Sequence, residues 1–293
     1  MLRHLRPSIR NLAGYIPGEQ PRDDAYIKLN TNENPYPPSP RVLNALQAAA
    51  VGDRLRKYPD PLALAVRQAA ARIHDCDPDA ILVGNGSDDI LTILARAFVP
   101  EGGWVVSPTP SYLLYRTLAE LQGAKLKTVP FSPGWTLPTP WPCRDAHLTF
   151  VANPNSPSGT VVSSQSLALL AAELDAASAG PLVVDEAYVD FADADSSALT
   201  LARQGKVIVT RTLSKSYSLA GIRLGYAIAD PAVIRELRKV KDSYNCDVLS
   251  LAAGLAALED QTYLQETVAK VRVTRERLAR GLTDLGFEVT PSC

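Results

Sequence analysis

Cysteine and histidine are scarce in this 293-residue chain, four of one and three of the other. Cys76, Cys143, Cys246 and Cys293 lie far apart, and no two have the spacing of a metal knuckle or a redox motif. His4, His74 and His147 are equally scattered, which excludes a sequence-local zinc site. A chain this long buries about three quarters of its unfolded surface and does not need disulfide staples. An excess of one charge is missing too: 30 Lys and Arg face 31 Asp and Glu, a formal net charge of −1. Electrostatic nucleic-acid binding needs a basic excess or stripe, so that class is excluded. The basic runs at 235–241 and 270–280 are interleaved with apolar residues at helical spacing and read as solvated helix faces. No apolar run approaches the roughly 20 residues of a membrane span; 249–258 is among the longest. The N-terminal Met1-Leu-Arg-His-Leu-Arg-Pro has basic residues but no apolar stretch behind them, unlike a secretory signal, and the cytoplasm is the expected compartment.

What is present is an ordinary soluble balance, 46% hydrophobic and 21% charged, with length for roughly two domains or one large domain and an appendage. Seven β-rich runs, at 81–83, 104–107, 125–129, 148–152, 182–185, 207–210 and 224–228, alternate with helical patterns at 90–98, 113–122, 166–177, 198–203 and 233–242. Alternation of this kind predicts an α/β fold, a mostly parallel seven-stranded sheet sandwiched by helices. Ahead of it lies an irregular segment whose densest cluster of breakers is Asn30-Thr-Asn-Glu-Asn-Pro-Tyr-Pro-Pro-Ser-Pro, then a helix near 42–50. Behind it, 249–258 and 263–285 look helical, and 286–290 starts a strand-like run with no remaining sequence to pair with. That predicts an exposed edge near Phe287–Thr290, open to swapping or aggregation.

In parallel sheets ligands gather beyond the carboxyl ends of the strands, so chemistry is sought there. After the first strand comes Gly84-Asn-Gly-Ser-Asp-Asp and a helix. Glycine lets a ligand approach the backbone and a helix N-terminus attracts an anion, here a phosphate, with Ser87 and Asp88 offering amides and Ser87 a hydroxyl. A glycine turn with a Ser or Asp N-cap is the plain alternative. The fifth strand ends in Asp185-Glu-Ala-Tyr188, where a desolvated carboxylate either meets a cation or donors or serves as a turn cap, and where Tyr188 can present its phenol to the same pocket. The sixth is followed by Arg211-Thr-Leu-Ser-Lys-Ser-Tyr-Ser-Leu-Ala-Gly-Ile-Arg223. Lys215 there is a candidate amine nucleophile, against the dull alternative of a solvated loop lysine, and Thr212, Ser214 and Arg223 suit a phosphate. Pro108-Thr-Pro-Ser-Tyr112 adds a ring at the mouth, and Asn153-Pro-Asn-Ser-Pro-Ser-Gly159 adds amide and hydroxyl donors from Asn155 and Ser156.

An amine for a Schiff base, a carboxylate, a phenol, a stacking ring and a phosphate cradle are together what pyridoxal 5′-phosphate requires. With Leu29-Asn-Thr-Asn-Glu-Asn-Pro-Tyr, Lys57-Tyr-Pro-Asp-Pro and Gly221-Ile-Arg-Leu-Gly-Tyr, these segments resemble, in order from about residue 28 to the end, the fold-type I pyridoxal-phosphate aminotransferases of the histidinol-phosphate aminotransferase-like group. The resemblance implies that Lys215 is the Schiff-base lysine and proton carrier, that Asp185 pairs with the pyridine nitrogen, and that Tyr188 bonds the 3-oxygen. It implies that Tyr112 stacks on the ring, that Asn155 or Ser156 contacts the ring oxygen, and that Gly86, Ser87, Asp88, Thr212, Ser214 and Arg223 surround the phosphate. Tyr58 would reach the cofactor of a neighbouring subunit, making a homodimer the functional unit.

The expected organisation is an N-terminal arm (1–30) packed with the small domain, a cofactor-binding large domain (31–245) and an incomplete small α+β domain (246–293). Relatives of this kind continue for about another half-domain, including an arginine for the substrate α-carboxylate, so a shortened chain is expected. The implied activity is transamination between an amino acid and a 2-oxo acid or phosphorylated ketone, most like histidinol-phosphate:2-oxoglutarate aminotransferase. A decarboxylase resembling threonine-phosphate decarboxylase, or a cofactor-binding chain with little activity, are the alternatives.

Overall fold

Apolar strands that alternate with helices can be hidden from water in a sheet layered between helices. That is the architecture of the computed structural model, which describes residues 2–10, 12, 14, 18–19 and 27–293. Ahead of the sheet come α1 (Pro7–Arg10), α2 (Pro40–Ala49) and α3 (Leu64–His74). Then follow β1 (Ile81–Gly84), α4 (Ser87–Phe98), β2 (Trp104–Thr109), α5 (Leu114–Leu121), β3 (Lys125–Pro130), β4 (Leu148–Ala152) and α6 (Ser164–Ala176). The series closes with β5 (Leu182–Asp185), α7 (Leu199–Arg203), β6 (Ile208–Thr212), β7 (Gly225–Ile228), α8 (Pro231–Leu237), α9 (Val248–Leu258) and α10 (Gln261–Asp284). The strands lie in the order β1-β7-β6-β5-β4-β2-β3, all parallel to their neighbours except β7, which is antiparallel to β1 and β6. The mostly parallel seven-stranded sheet expected from the sequence is therefore present.

Successive strand residues face opposite sides, so unbroken apolar runs supply two cores at once. Val106, Val151, Val184 and Val209 belong to the core on one face, and Val105, Phe150, Val183 and Ile208 to the core on the other. The helices begin slightly ahead of their apolar patterns because a capping side chain comes first: Ser163 accepts from Ser166 N, Asp230 from Ala232 N, and Asp247 from Leu249 N and Ser250 N. The apolar pattern does not mark α3. Its buried face is largely Ala69, Ala70 and Ala71, good helix formers too small to give a strong hydrophobic period. At the other extreme α8 stops at Leu237 rather than 242, where the backbone tightens into Lys239 N→Glu236 O and Val240 N→Leu237 O turns.

Two expectations are corrected. Residues 286–290 form no strand; 287–293 run as irregular chain, and Cys293 N donates to Gly159 O at 2.9 Å. With no neighbouring strand to supply a ladder the segment adopts no pleat, and the predicted strand edge does not exist. The arginines of α10 are also not merely solvated. Arg272 Nε and Arg275 Nη1 donate to the Phe191 carbonyl at 3.0 and 3.2 Å, clamping the turn after β5 to the helix. At the N-terminus, Arg6 Nη2 donates to Leu121 O at 3.3 Å and α1 lies against α5. Residues 1, 11, 13, 15–17 and 20–26 of the expected arm lie outside the described residues. Among the described residues no helix is long and apolar enough to cross a membrane.

His74 ends α3 beneath the sheet, with Nε2 2.7 Å from the Tyr226 hydroxyl. Burial, reinforced by the charges of Arg211 and Arg203, pushes its pKa down to about 3, so the native imidazole is neutral. Between pH 6.5 and 3 the unfolded chain then binds the proton that the native state refuses, and stability falls as pH falls through that window. The loss is bounded at about 5 kcal/mol. His74→Gln, which keeps a partner for Tyr226, is expected to move the acid-unfolding midpoint followed by circular dichroism to lower pH. An unchanged midpoint would count against a buried neutral histidine.

Candidate active site

Gly84 of β1, Gly225 of β7 and Thr212 of β6 are in register across three strands. The loops leaving β1 and β6 and the chain entering β7 therefore meet at one end of the sheet. They meet closely. A Cβ on Gly225 would sit 2.6 Å from Ser87 N and 2.7 Å from Arg211 O, and one on Gly86 (φ +84°) 2.6 Å from Arg223 Nη2. Both positions require glycine. Arg223 lies over Gly86 and donates to Ser214 Oγ and Asp88 Oδ2, each at 3.3 Å. Thr212 Oγ1 donates to Ser214 Oγ at 3.0 Å and accepts from Ser214 N at 3.1 Å. The N-cap of α4 is Gly86, with no side-chain cap, so Ser87 and Asp88 are first-turn residues and not caps. A guanidinium, hydroxyls and an uncapped helix N-terminus make a cradle for an anion.

Asp185 ends β5, paired with Ala152 on one side and Thr210 on the other. Its carboxylate accepts from Thr210 Oγ1 and from the Tyr115 hydroxyl, both at 3.0 Å. Burial raises its pKa to about 6, and those two donors limit the rise. The acid thus sits in a built site, where a backbone bond from Ala187 two residues on accompanies the two side-chain donors. Burial and the adjacent carboxylate lift the Tyr115 phenol well above its ordinary range, which keeps it protonated and donating. The ring of Tyr115 stacks on Phe150 with centroids 4.6 Å apart, and Tyr112 meets it edge-on at 5.6 Å while its hydroxyl reaches Asp88 Oδ1 at 3.3 Å. The sequence reading missed Tyr115. Its signal was faint, a second tyrosine one helical turn from Tyr112 inside an apolar pattern.

Lys215 Nζ donates to Thr31 O at 2.9 Å and lies 5.4 Å from the centroid of the Tyr188 ring. The segment of breakers near the N-terminus covers it. Asn34 Nδ2 donates to the carbonyls of Lys215 and Ser216 at 3.1 and 3.2 Å, and Asn32 Nδ2 donates to the Tyr188 hydroxyl at 3.1 Å. Asn32 and Asn34 are thus further site residues; the sequence placed them in a breaker-rich segment that carries the family resemblance but assigned them no role. A cleft of ≈ 340 Å³ opens here, lined among others by Lys215, Tyr188, Asn32, Asn155 and Ser156. Asn155 Nδ2 is committed to Pro110 O at 3.1 Å and Ser158 Oγ at 2.8 Å, while its buried Oδ1 has no partner.

A continuous path of contacts thus runs from Arg223 and Ser214 through Asp88, Tyr112 and Tyr115 to Asp185, while Lys215, on the loop after the adjacent β6, packs beside Tyr188. Tyr58 stands apart. It is 80% exposed and stacks on Tyr244 with ring centroids 4.4 Å apart, outside the cleft. Among the described residues no group of three or more His, Cys, Asp or Glu is arranged to hold a metal ion.

Comparison with known proteins adds the following. A model of the family "Aminotransferase class I and II" matches residues 24–293. The chain is 51% identical over 290 residues to the histidinol-phosphate aminotransferase of Rhodopirellula baltica, covering 98% of this chain and 78% of that protein. To the histidinol-phosphate aminotransferase of Syntrophotalea carbinolica it is 49% identical over 290 residues, 98% of this chain and 82% of the relative. Among solved structures, histidinol-phosphate aminotransferase from Sinorhizobium meliloti in complex with pyridoxal-5′-phosphate superposes with a TM-score of 0.80 at 30% identity, covering 89% of this chain and 72% of that one.

Proposed function

The chain belongs to the class I and II aminotransferase family, and from that premise we propose that it transfers the amino group of histidinol phosphate to 2-oxoglutarate with pyridoxal 5′-phosphate as cofactor. The observation that carries this reading is the meeting of Lys215, Asp185 and the Arg223 cradle at one end of the sheet. The residues fit the group. A Cβ would fill the space between Gly86 and Arg223 where a phosphate would approach backbone, and the buried Asp185 carboxylate is an acid of the kind a ring nitrogen needs.

When bound, pyridoxal phosphate supplies an aldehyde that a primary amine can attack and a ring that takes up the electron pair left at the substrate Cα. Gly86, Ser87, Ser214 and Arg223 would hold its phosphate, with Thr212 orienting the Ser214 hydroxyl. Asp88 contributes its first-turn N–H, since its carboxylate is committed to Arg223 and Tyr112. Asp185, held by Thr210 and Tyr115, would keep a proton on the ring nitrogen. Tyr188 would donate to the 3-oxygen, and Tyr112 would lie against the ring. With the Asn155 donors spent on Pro110 O and Ser158 Oγ, Ser156 is the member of that pair left to contact the ring oxygen. Lys215 would anchor the group through Nζ and, when released, move a proton at the substrate Cα.

We assign the chain to the cytoplasm and to a homodimer in which Tyr58 serves the neighbouring subunit's phosphate. What supports the dimer is the exposed stacked pair Tyr58–Tyr244 beside the exposed Val51 and Leu55. The division into an arm (1–30), a cofactor-binding domain (31–245) and the start of a small domain (246–293) rests on every strand and every cradle residue lying between 31 and 245. The test is direct. Purified protein incubated with pyridoxal phosphate, histidinol phosphate and 2-oxoglutarate is expected to form glutamate at a rate that saturates in both substrates. Absence of glutamate from protein that carries the cofactor would remove this assignment.

A further inference from the structure

Arg211 appears in the lysine-bearing stretch of the sequence, yet its side chain turns to partners other than the cradle residues. It is buried, and its guanidinium meets two carboxylates: Nη2 lies 2.8 Å from Glu186 Oε2, and Nη1 donates to Asp190 Oδ1 at 3.1 Å. Ser197 joins them, its hydroxyl donating to Glu186 at 2.9–3.0 Å and accepting from Arg211 at 3.2 Å. Ser216 closes the cluster by donating to Asp190 Oδ2 at 2.5 Å. Burial opposes both charges of the Arg211–Glu186 pair. Glu186 and Asp190 nevertheless hold the guanidinium firmly protonated.

Four members of the cluster are chained to residues of the site. Glu186 follows Asp185, and Asp190 comes two residues after Tyr188. Ser216 follows Lys215, and Arg211 follows Thr210, which bonds Asp185. Buried ion clusters add little net stability compared with apolar packing of the same volume. What they add is direction, because a hydrogen-bonded charge tolerates displacement poorly. We propose that the Arg211–Glu186–Asp190 cluster is a positioning device, and that its Ser216–Asp190 link sets the place of Lys215 relative to Tyr188 and Asp185. This rests on the transaminase reading above.

The loaded protein tests it through Ser216→Ala, Ser216→Thr, Asp190→Ala and the Ser216→Ala/Asp190→Ala double variant. Single-turnover amino transfer, the donor KM, the pyridoxal-phosphate Kd and the thermal midpoint are each recorded. Ser216→Ala is expected to slow transfer about tenfold or more, because small displacements of a reacting group are costly. Donor KM and cofactor Kd should stay within about threefold, and Ser216→Thr, which restores the hydroxyl, should keep at least about half the rate. The double variant should transfer no more slowly than the worse single variant, the mark of one shared link.

Normal transfer in Ser216→Ala with only a lowered thermal midpoint would overturn the proposal. So would a Ser216→Thr rate as low as that of Ser216→Ala, or losses that multiply in the double variant. Should Ser216→Ala not fold, Asp190→Ala and Ser216→Thr carry the same comparison. Wild-type protein that binds no cofactor or transfers no amino group would bring down the transaminase reading and this one together. Failure in the variants alone, with an active wild type, would bring down only this one.

Discussion

Lys215→Ala is expected to lower amino transfer by about 10⁴-fold or more while leaving the fold intact. Two roles vanish with one side chain, covalent attachment and proton movement at Cα, and positioned acid–base groups alone contribute about 10²–10⁴-fold. Little else is lost. In this chain Nζ makes one hydrogen bond, to Thr31 O, and packs beside the Tyr188 ring. The loop stays pinned through its backbone, by Asn34 on the carbonyls of Lys215 and Ser216 and by Leu213 N on Leu224 O. The Arg223 cradle is untouched, so the variant should still take up pyridoxal phosphate. The spectrum should be that of a free aldehyde, and borohydride should leave residue 215 unlabelled. A variant that still transfers amino groups, or wild-type protein that borohydride labels elsewhere, would end the assignment of Lys215.

What could be read from the sequence, and what could not, follows from how far apart the partners lie along the chain. Asp185 ends an apolar strand, and Gly86 and Lys215 lie two and three residues beyond one, so a local pattern locates them at the sheet's ligand-binding end. The sheet itself was legible for the same reason, since strand–helix alternation is a property of neighbouring residues. Tyr115 reaches Asp185 across 70 residues, Asn32 reaches Tyr188 across 156, and Asn34 reaches Lys215 across 181. No periodicity or spacing carries those contacts. Only the register that sets Asp185 beside Thr210, and the path of the arm across the lysine loop, bring them together. The supposed strand at 286–290 failed for the complementary reason: an alternating run becomes a strand only where another strand offers a ladder. Arg272 and Arg275 were misread as solvated because their partner, the Phe191 carbonyl, has no signature in a side-chain pattern.

Asp185→Asn is expected to do two opposed things, to stabilise the cofactor-free protein and to cut amino transfer by about 10²–10³-fold. Burial raises the carboxyl from an ordinary 3.8 to about 6. The native state therefore holds a proton that the unfolded chain releases, and stability declines as pH rises from 3.8 to 6. At pH 7 the decline is complete and bounded at about 3 kcal/mol. Asparagine is neutral at every pH, so denaturant unfolding of the cofactor-free variant at pH 7 should show a gain of up to that amount. The gain is reduced to the extent that the hydroxyls of Thr210 and Tyr115 must turn to suit an amide. Below pH 4 the gain should vanish. His74 titrates in the opposite sense across much of the same range, so the wild-type profile between pH 4 and 6 is a partial cancellation that Asp185→Asn and His74→Gln separate. The loss of transfer has a different origin, because an amide cannot hold a proton on a ring nitrogen as a carboxylate does. A variant both more stable and fully active would mean that the charge at 185 serves neither the fold nor the reaction. A variant less stable at pH 7 would mean that the two hydroxyl donors outweigh the desolvation of the acid.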